Sequence, residues 1–182
     1  ATTSGIITIC STNSGTSGVS GMLVFSSGTA AKGNSGSILI GTGAATDGRG
    51  GLVAISAGSG TSGVGGLVSM WAGKSTTLAG GLVSISGGVA VVNTGGAVNL
   101  ASGEGTATTS GIITIRSANS GTSGVSGMLV FSSGTAVKGN SGSILIGTGA
   151  ATDGRGGLVA ISAGSGTSGV GGLVSRWAGE ST

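Results

Sequence analysis

The sequence predicts an all-β fold, a parallel β-solenoid of about 12 coils with about 15 residues per coil and a thin cross-section of two sheets. Three observations predict this fold. A short phrase recurs at a fixed period, apolar residues alternate within each phrase, and glycines recur at fixed positions between phrases. A period this short is typical of one structural unit repeated along an axis.

The recurring phrase reads glycine, any residue, aliphatic, any residue, apolar, and it occurs twelve times, with Arg176 in place of the apolar residue in the last. Consecutive phrases begin 15 residues apart, except for two steps of 16. We number the positions of each unit from its opening glycine, which is position 1. The opening glycines are Gly5, Gly21, Gly36, Gly51, Gly66, Gly81, Gly96, Gly111, Gly127, Gly142, Gly157 and Gly172.

Each unit is predicted to hold two short strands and two glycine turns. Positions 3 and 5 are apolar and rich in Ile and Val, as in Val53 and Ile55, and such alternation favours a strand. Position 8 is glycine in every 15-residue unit, as in Gly58, which predicts a turn because glycine takes left-handed backbone angles freely. Position 13 is often glycine, as in Gly63, and predicts a second turn. Coils of this kind would stack about 4.8 Å apart.

A longer repeat is superimposed on the short one. Residues 107–182 copy residues 1–76 with five substitutions, at an offset of 106 residues. We therefore expect one continuous solenoid over 1–182, with 1–106 as a seven-coil super-repeat and 107–182 as a partial second copy. Neither terminus carries a polar capping unit, so the chain is expected to be a segment of a longer array or a subunit that stacks end to end.

Composition excludes several classes of protein. The chain has 44 glycines and no proline, yet 37% of its residues are hydrophobic and only 6% are charged, which is the reverse of the usual disordered signature. Glycine does not recur at every third position, so collagen is excluded. No apolar run is long enough to span a membrane. The seven basic residues are dispersed, which argues against a nucleic-acid partner, and the single Cys10 excludes a disulfide framework.

Catalytic and cofactor motifs are absent, so the chain is not expected to be an enzyme or to hold a cofactor or metal. It has no histidine and only four carboxylates. Asp47 and Asp153 occupy equivalent positions seven coils apart, roughly 34 Å at strand spacing, which is too far for a catalytic pair. The stretch from Gly58 to Gly63 fits the dinucleotide fingerprint, but a strand rather than a helix is predicted to follow it.

Position 2 carries large aliphatic side chains, which should point away from the coil interior if positions 3 and 5 point inward. A column of exposed aliphatic side chains is typical of a contact surface, so we expect lateral self-association through it. In the alternative, position 2 points inward and positions 3 and 5 point outward, so that this column is the core. We call it the apolar stripe. It consists of Ile6, Met22, Leu52, Leu67, Leu82, Ile112, Met128, Leu158 and Leu173.

Position 11 is mostly threonine, and in the 16-residue units the corresponding threonine falls one residue later. This column could form a ladder inside the solenoid. Alternatively, it could form a flat array that binds ice or another surface, as in the ice-binding solenoids that the 15-residue coil resembles. Serine and threonine in the turns are also candidate acceptors for O-linked glycans. The Thr column comprises Thr46, Thr61, Thr76, Thr106, Thr152 and Thr167.

Two phrases carry a family resemblance: Gly-Asn-Ser-Gly-Ser-Ile-Leu-Ile-Gly-Thr-Gly at 33–43 and Gly-Arg-Gly-Gly-Leu-Val-Ala-Ile-Ser-Ala-Gly at 48–58. They resemble the glycine-, serine- and threonine-rich tandem arrays of large microalgal and stramenopile surface proteins, and the resemblance covers the whole chain. It implies an extracellular or cell-surface structural role, including a role in a fibre. It supplies no catalytic or binding residues.

The sequence as a whole predicts a structural building block of an extracellular filament or surface coat. Assembly is expected by end-to-end stacking of coils and by lateral packing of the apolar stripe, with the chain itself as the partner. The alternatives are an ice- or surface-binding protein that uses the Thr column, and an adhesin stalk that displays a binding domain encoded elsewhere.

Overall fold

The structure of the chain is a computed structural model that describes residues 4–180. Within this range the backbone forms no helix and no β-strand. The chain divides into two blocks, Ala1–Gly96 and Ala97–Thr182, and each is described by itself. The boundary between the blocks lies ten residues before the boundary between the two sequence copies, which falls between 106 and 107.

The regular feature of the described backbone is a sharp three-residue bend, which occurs in each of the first eleven units. The first block bends at 16–18, 31–33, 46–48, 61–63, 76–78 and 91–93, and the second at 106–108, 122–124, 137–139, 152–154 and 167–169. These bends recur with the 15- and 16-residue steps of the sequence. Glycine ends several of them with a positive φ, which is 95° at Gly33 and 98° at Gly139, angles that an L side chain disfavours. The turn predicted from glycine at position 13 therefore forms.

The turn predicted at position 8 does not form, because the glycines there lie outside the bends and none of them has a positive φ. Position 8 has a different role in five units. Its carbonyl accepts a hydrogen bond from the amide of the next opening glycine, at 2.8 Å for Gly66 N to Gly58 O. This bond closes a nine-residue loop with the bend at its centre. The other four pairs are Gly81 to Gly73, Gly96 to Gly88, Gly111 to Gly103 and Gly172 to Gly164.

A close approach at the base of most loops explains why position 1 is glycine. A Cβ placed on Gly51 would lie 2.8 Å from the Cβ of Thr42, and one placed on Gly66 would lie 3.0 Å from the Cβ of Ala57. Thr42 and Ala57 both stand at position 7 of the preceding unit. Atoms this close would have to move apart, so these opening glycines exclude a side chain and the residues at position 7 before them must be small. At Gly36 and Gly142 the same contact would be an ordinary 3.5 Å.

The prediction of a parallel β-solenoid is wrong, since the described residues contain no strand from which to build a sheet. The hydrogen bonds give the physical reason. Each of the five backbone hydrogen bonds in the described residues joins two residues that are eight apart and lie in the same loop. None of them joins equivalent positions of neighbouring units, which are 15 residues apart. The opening amides that a solenoid would pair between coils are thus used locally. Ordering 44 glycines carries a large entropic cost, which a core of Val, Ala and Ser offsets poorly.

The predicted core of positions 3 and 5 is not buried. Within residues 4–180 only Ser75 and Gly105 are half-buried, and every other residue is exposed. The accessible surface is 18323 Å². A folded monomer of this mass would expose about 7,500 Å², and an unfolded chain about 24,000 Å². Closing the loops therefore removes little apolar surface from water.

Position 3 is nevertheless the most shielded apolar position. From Leu23 onward its side chains are 47–59% exposed, whereas Ile7, which follows no loop of the described residues, is 89% exposed. The loop that precedes each unit therefore supplies the partial cover. This local contact, together with the close approach of positions 7 and 1, is the packing that the repeat achieves within each block.

Candidate functional site

The apolar stripe is a recurring set of exposed Leu, Ile and Met side chains, all at position 2 of the unit. Its nine members are 82–92% exposed, five of them in the first block and four in the second. Each follows an opening glycine, and in every case except Ile6 that glycine lies close to position 7 at the base of a loop. The backbone beside those stripe residues is thus anchored by that contact, while the side chain itself lies in solvent.

Sequence reasoning missed two further members of this surface. In the units that open at Gly36 and Gly142, position 2 is Ser37 or Ser143, and the exposed leucine stands at position 4 instead. Leu39 is 88% exposed and Leu145 is 87% exposed. The signal was present in the sequence, because a leucine stands at position 4 in both units that have serine at position 2.

The Thr column lies at the bends. Each of its members is the first residue of a bend, and all six are exposed. The expectation of a threonine ladder inside a solenoid is therefore wrong. The inside of the bend is occupied by position 10, as Ser75 shows. Its hydroxyl accepts hydrogen bonds from Leu78 N at 2.9 Å and Thr77 N at 3.4 Å. The column is thus exposed at the six bends that its members begin.

Side-chain hydrogen bonds close the loop in three of the described units that lack the backbone bond, whereas the units that open at Gly21, Gly111 and Gly127 have neither bond. Thr42 Oγ1 donates to the Gly51 carbonyl at 3.1 Å, and Thr148 Oγ1 donates to the Gly157 carbonyl at 3.2 Å. In the first 16-residue unit, Ser11 Oγ donates to the Gly21 carbonyl at 2.9 Å. A hydroxyl at position 7 therefore replaces the position-8 carbonyl as the group that ties a loop to the next unit.

No second kind of site accompanies these two surfaces in the part of the chain that the structure describes. Its residues enclose no cavity, and they contain no group of three His, Cys, Asp or Glu that could hold a metal ion. Among residues 4–180 there is also no helix with the length and apolarity needed to cross a membrane. Cys10 is exposed, and so are all seven basic and all four acidic side chains. Asp47 and Asp153 lie in different blocks.

No family model, curated protein or solved structure matches this sequence. The resemblance to microalgal and stramenopile surface arrays therefore stays a prediction, carried by the phrases at 33–43 and 48–58 alone.

Proposed function

We propose that the chain is a structural building block of an extracellular filament or surface coat, which assembles by lateral packing of the apolar stripe between copies of the chain. The proposal keeps the lateral contact predicted from the sequence. It drops the end-to-end stacking of β-coils, because the strands that this stacking requires do not form in the described residues.

The observation that carries the proposal is the exposure of the stripe. Burying one large aliphatic side chain is worth roughly 1.5–3 kcal/mol. Nine side chains at 82–92% exposure would therefore contribute on the order of 10–20 kcal/mol if all were covered. The loss of translational and rotational freedom costs about 4–15 kcal/mol, and the ordering of side chains adds to it, so a lateral contact is favourable when most of the stripe is covered. A second copy of the chain offers a matching surface with the same period.

Charge supports the same proposal. The chain carries seven basic and four acidic residues, for a net charge of +3, so copies repel one another weakly. The charged side chains are spread along the sequence, and charge therefore does not define a separate face for a strongly acidic or basic partner. An extracellular location is part of the proposal and is supported by the family resemblance.

Negative-stain electron microscopy of wild type and a stripe variant tests the proposal. The variant replaces Leu52, Leu67 and Leu82 by serine, a residue that Ser37 and Ser143 already place at position 2. We expect regular assemblies for wild type and dispersed particles for the variant. Assemblies of the variant that match those of wild type would overturn the proposal.

A matched control replaces Val64, Val89 and Val91 by serine. These side chains are 97–98% exposed but lie outside the stripe. The control also removes three exposed apolar side chains from the same block and should assemble as wild type does. If it disperses as the stripe variant does, assembly depends on total hydrophobicity rather than on the stripe.

A second candidate function is supported by the Thr column. Six exposed threonines, each at the start of a bend, present hydroxyl and methyl groups of the kind that an ice-binding protein presents, although Val91 and Val137 interrupt the column. An ice recrystallisation assay on wild type and Thr61→Leu decides between the candidates. Inhibition of crystal growth that weakens in the variant would favour ice binding, and equal behaviour would remove it.

A further inference from the structure

We infer that Asp47-Gly48 and Asp153-Gly154 are sites of spontaneous isoaspartate formation, a modification of the backbone that accumulates with age. Each pair falls within a bend, at 46–48 and at 152–154, one in each block. The inference concerns the bends alone and does not depend on the proposed function.

The chemistry needs a backbone amide that can reach the preceding carboxyl group. The nitrogen of Gly48 attacks Cγ of Asp47, a C–N bond forms, and one carboxyl oxygen leaves as water with the amide proton and the acid proton. The product is a five-membered succinimide. Water then adds to a ring carbonyl. If the bond between the Asp47 main-chain carbonyl and Gly48 N breaks, the chain runs through Cβ, and a free carboxylate remains on Cα. No oxidant or reductant is required.

Three features of the structure leave this attack unhindered. Both aspartates and both glycines are exposed. Among the hydrogen bonds of the described residues, none uses Gly48 N or Gly154 N, so no bond must break first. Gly48 and Gly154 have no side chain that would hinder the approach of their amide nitrogen to the carboxyl group. An open amide in an exposed bend has the freedom that ring closure demands.

The same chain contains an internal comparison. Glu104 also precedes a glycine, Gly105, but closure there would form a six-membered ring, which is slower. Gly105 is moreover half-buried, and its own environment is crowded, since a Cβ on it would lie 2.5 Å from the Thr109 carbonyl oxygen. Isomerisation without a change of mass should therefore be confined to the two aspartates. The exposed Asn-Ser pairs, such as Asn34-Ser35, reach a succinimide by losing ammonia, so their products differ in mass and are told apart.

Peptide mapping of the intact protein, aged at neutral pH and body temperature, tests the inference. Trypsin cleaves after Lys32, Arg49, Lys138 and Arg155, so both copies yield the same peptide, at 33–49 and at 139–155. We expect this peptide to split into two peaks of equal mass. The new peak should grow with time and accept a methyl group from an isoaspartyl methyltransferase, and the peptide containing Glu104 should stay single.

Two comparisons separate the role of the structure from the chemistry of the dipeptide. A synthetic peptide of residues 33–49, aged in parallel, should isomerise at a rate comparable to that of the intact protein, because the bend offers no protection. The Gly48→Ala, Gly154→Ala variant should lose the new peak. The added methyl at position 48 would lie 3.9 Å from the Cβ of Ala45, in ordinary contact, so the bend tolerates it.

The inference is overturned if the aged protein yields no β-linked peptide while the free peptide does. It is also overturned if the double glycine variant isomerises as fast as wild type.

Discussion

Position 1 shows what a single residue contributes to this fold. The sequence shows that a glycine opens every unit, but it does not show why. A glycine is required both where φ is positive and where another atom lies too close for a Cβ, and the sequence is the same in the two cases. The structure distinguishes these two reasons. Gly33, at position 13, has a positive φ, whereas Gly51, at position 1, is required because Thr42 occupies the space that a Cβ would take.

Gly66→Ala should open the loop between 58 and 66. The new Cβ would lie 3.0 Å from the Cβ of Ala57 and 3.3 Å from the Gly58 carbonyl oxygen. That oxygen accepts the hydrogen bond from the amide of residue 66. An exposed hydrogen bond contributes about 1 kcal/mol, so its loss should raise amide exchange at position 66 roughly fivefold.

Gly63→Ala is the matched control for this measurement. Gly63 belongs to the same loop, has an ordinary φ and leaves open space, with no atom within 4 Å of where an added Cβ would lie. Exchange at Gly66 should stay at the wild-type rate in this variant. Equal exchange in the two variants would mean that contact between positions 7 and 1 does not hold the loop.

The closed loop is the structural element of this chain, and its bend was only partly predictable. Glycine at position 13 correctly predicted a turn, because a bend such as 31–33 ends on a glycine with positive φ. Glycine at position 8 gave a wrong prediction, since the property that matters there is its carbonyl, which the sequence does not mark. The alternation of positions 3 and 5 predicted strands, but alternation cannot show whether a partner strand is present.

Inserting one glycine after Gly63 should disturb one loop and leave the next unchanged. The bond from Gly66 N to Gly58 O would weaken, while the bond from Gly81 N to Gly73 O lies wholly within the following loop. Two natural units of 16 residues already accommodate an extra residue. Site-resolved amide exchange should therefore rise at Gly66 and stay constant at Gly81. Comparable increases at both amides would show that neighbouring units are paired.

At the scale of the molecule, period and composition predicted a repeated unit with an apolar surface. The period of the bends and the exposure of the stripe are the structural counterparts of those patterns. The sequence could not predict how units relate to one another, because the same phased glycines and valines suit both stacked coils and locally closed loops. The local hydrogen bonds leave 18323 Å² of surface exposed, and this exposure is the basis for proposing that the chain functions as an assembly.

Sedimentation velocity over a series of protein concentrations tests this proposal most directly. Wild type should sediment as species whose mass rises with concentration above the 16.5 kDa of one chain, and so should the valine control. The variant with serine in place of Leu52, Leu67 and Leu82 should remain near the mass of one chain. A wild-type protein that stays monomeric at every concentration would contradict the account.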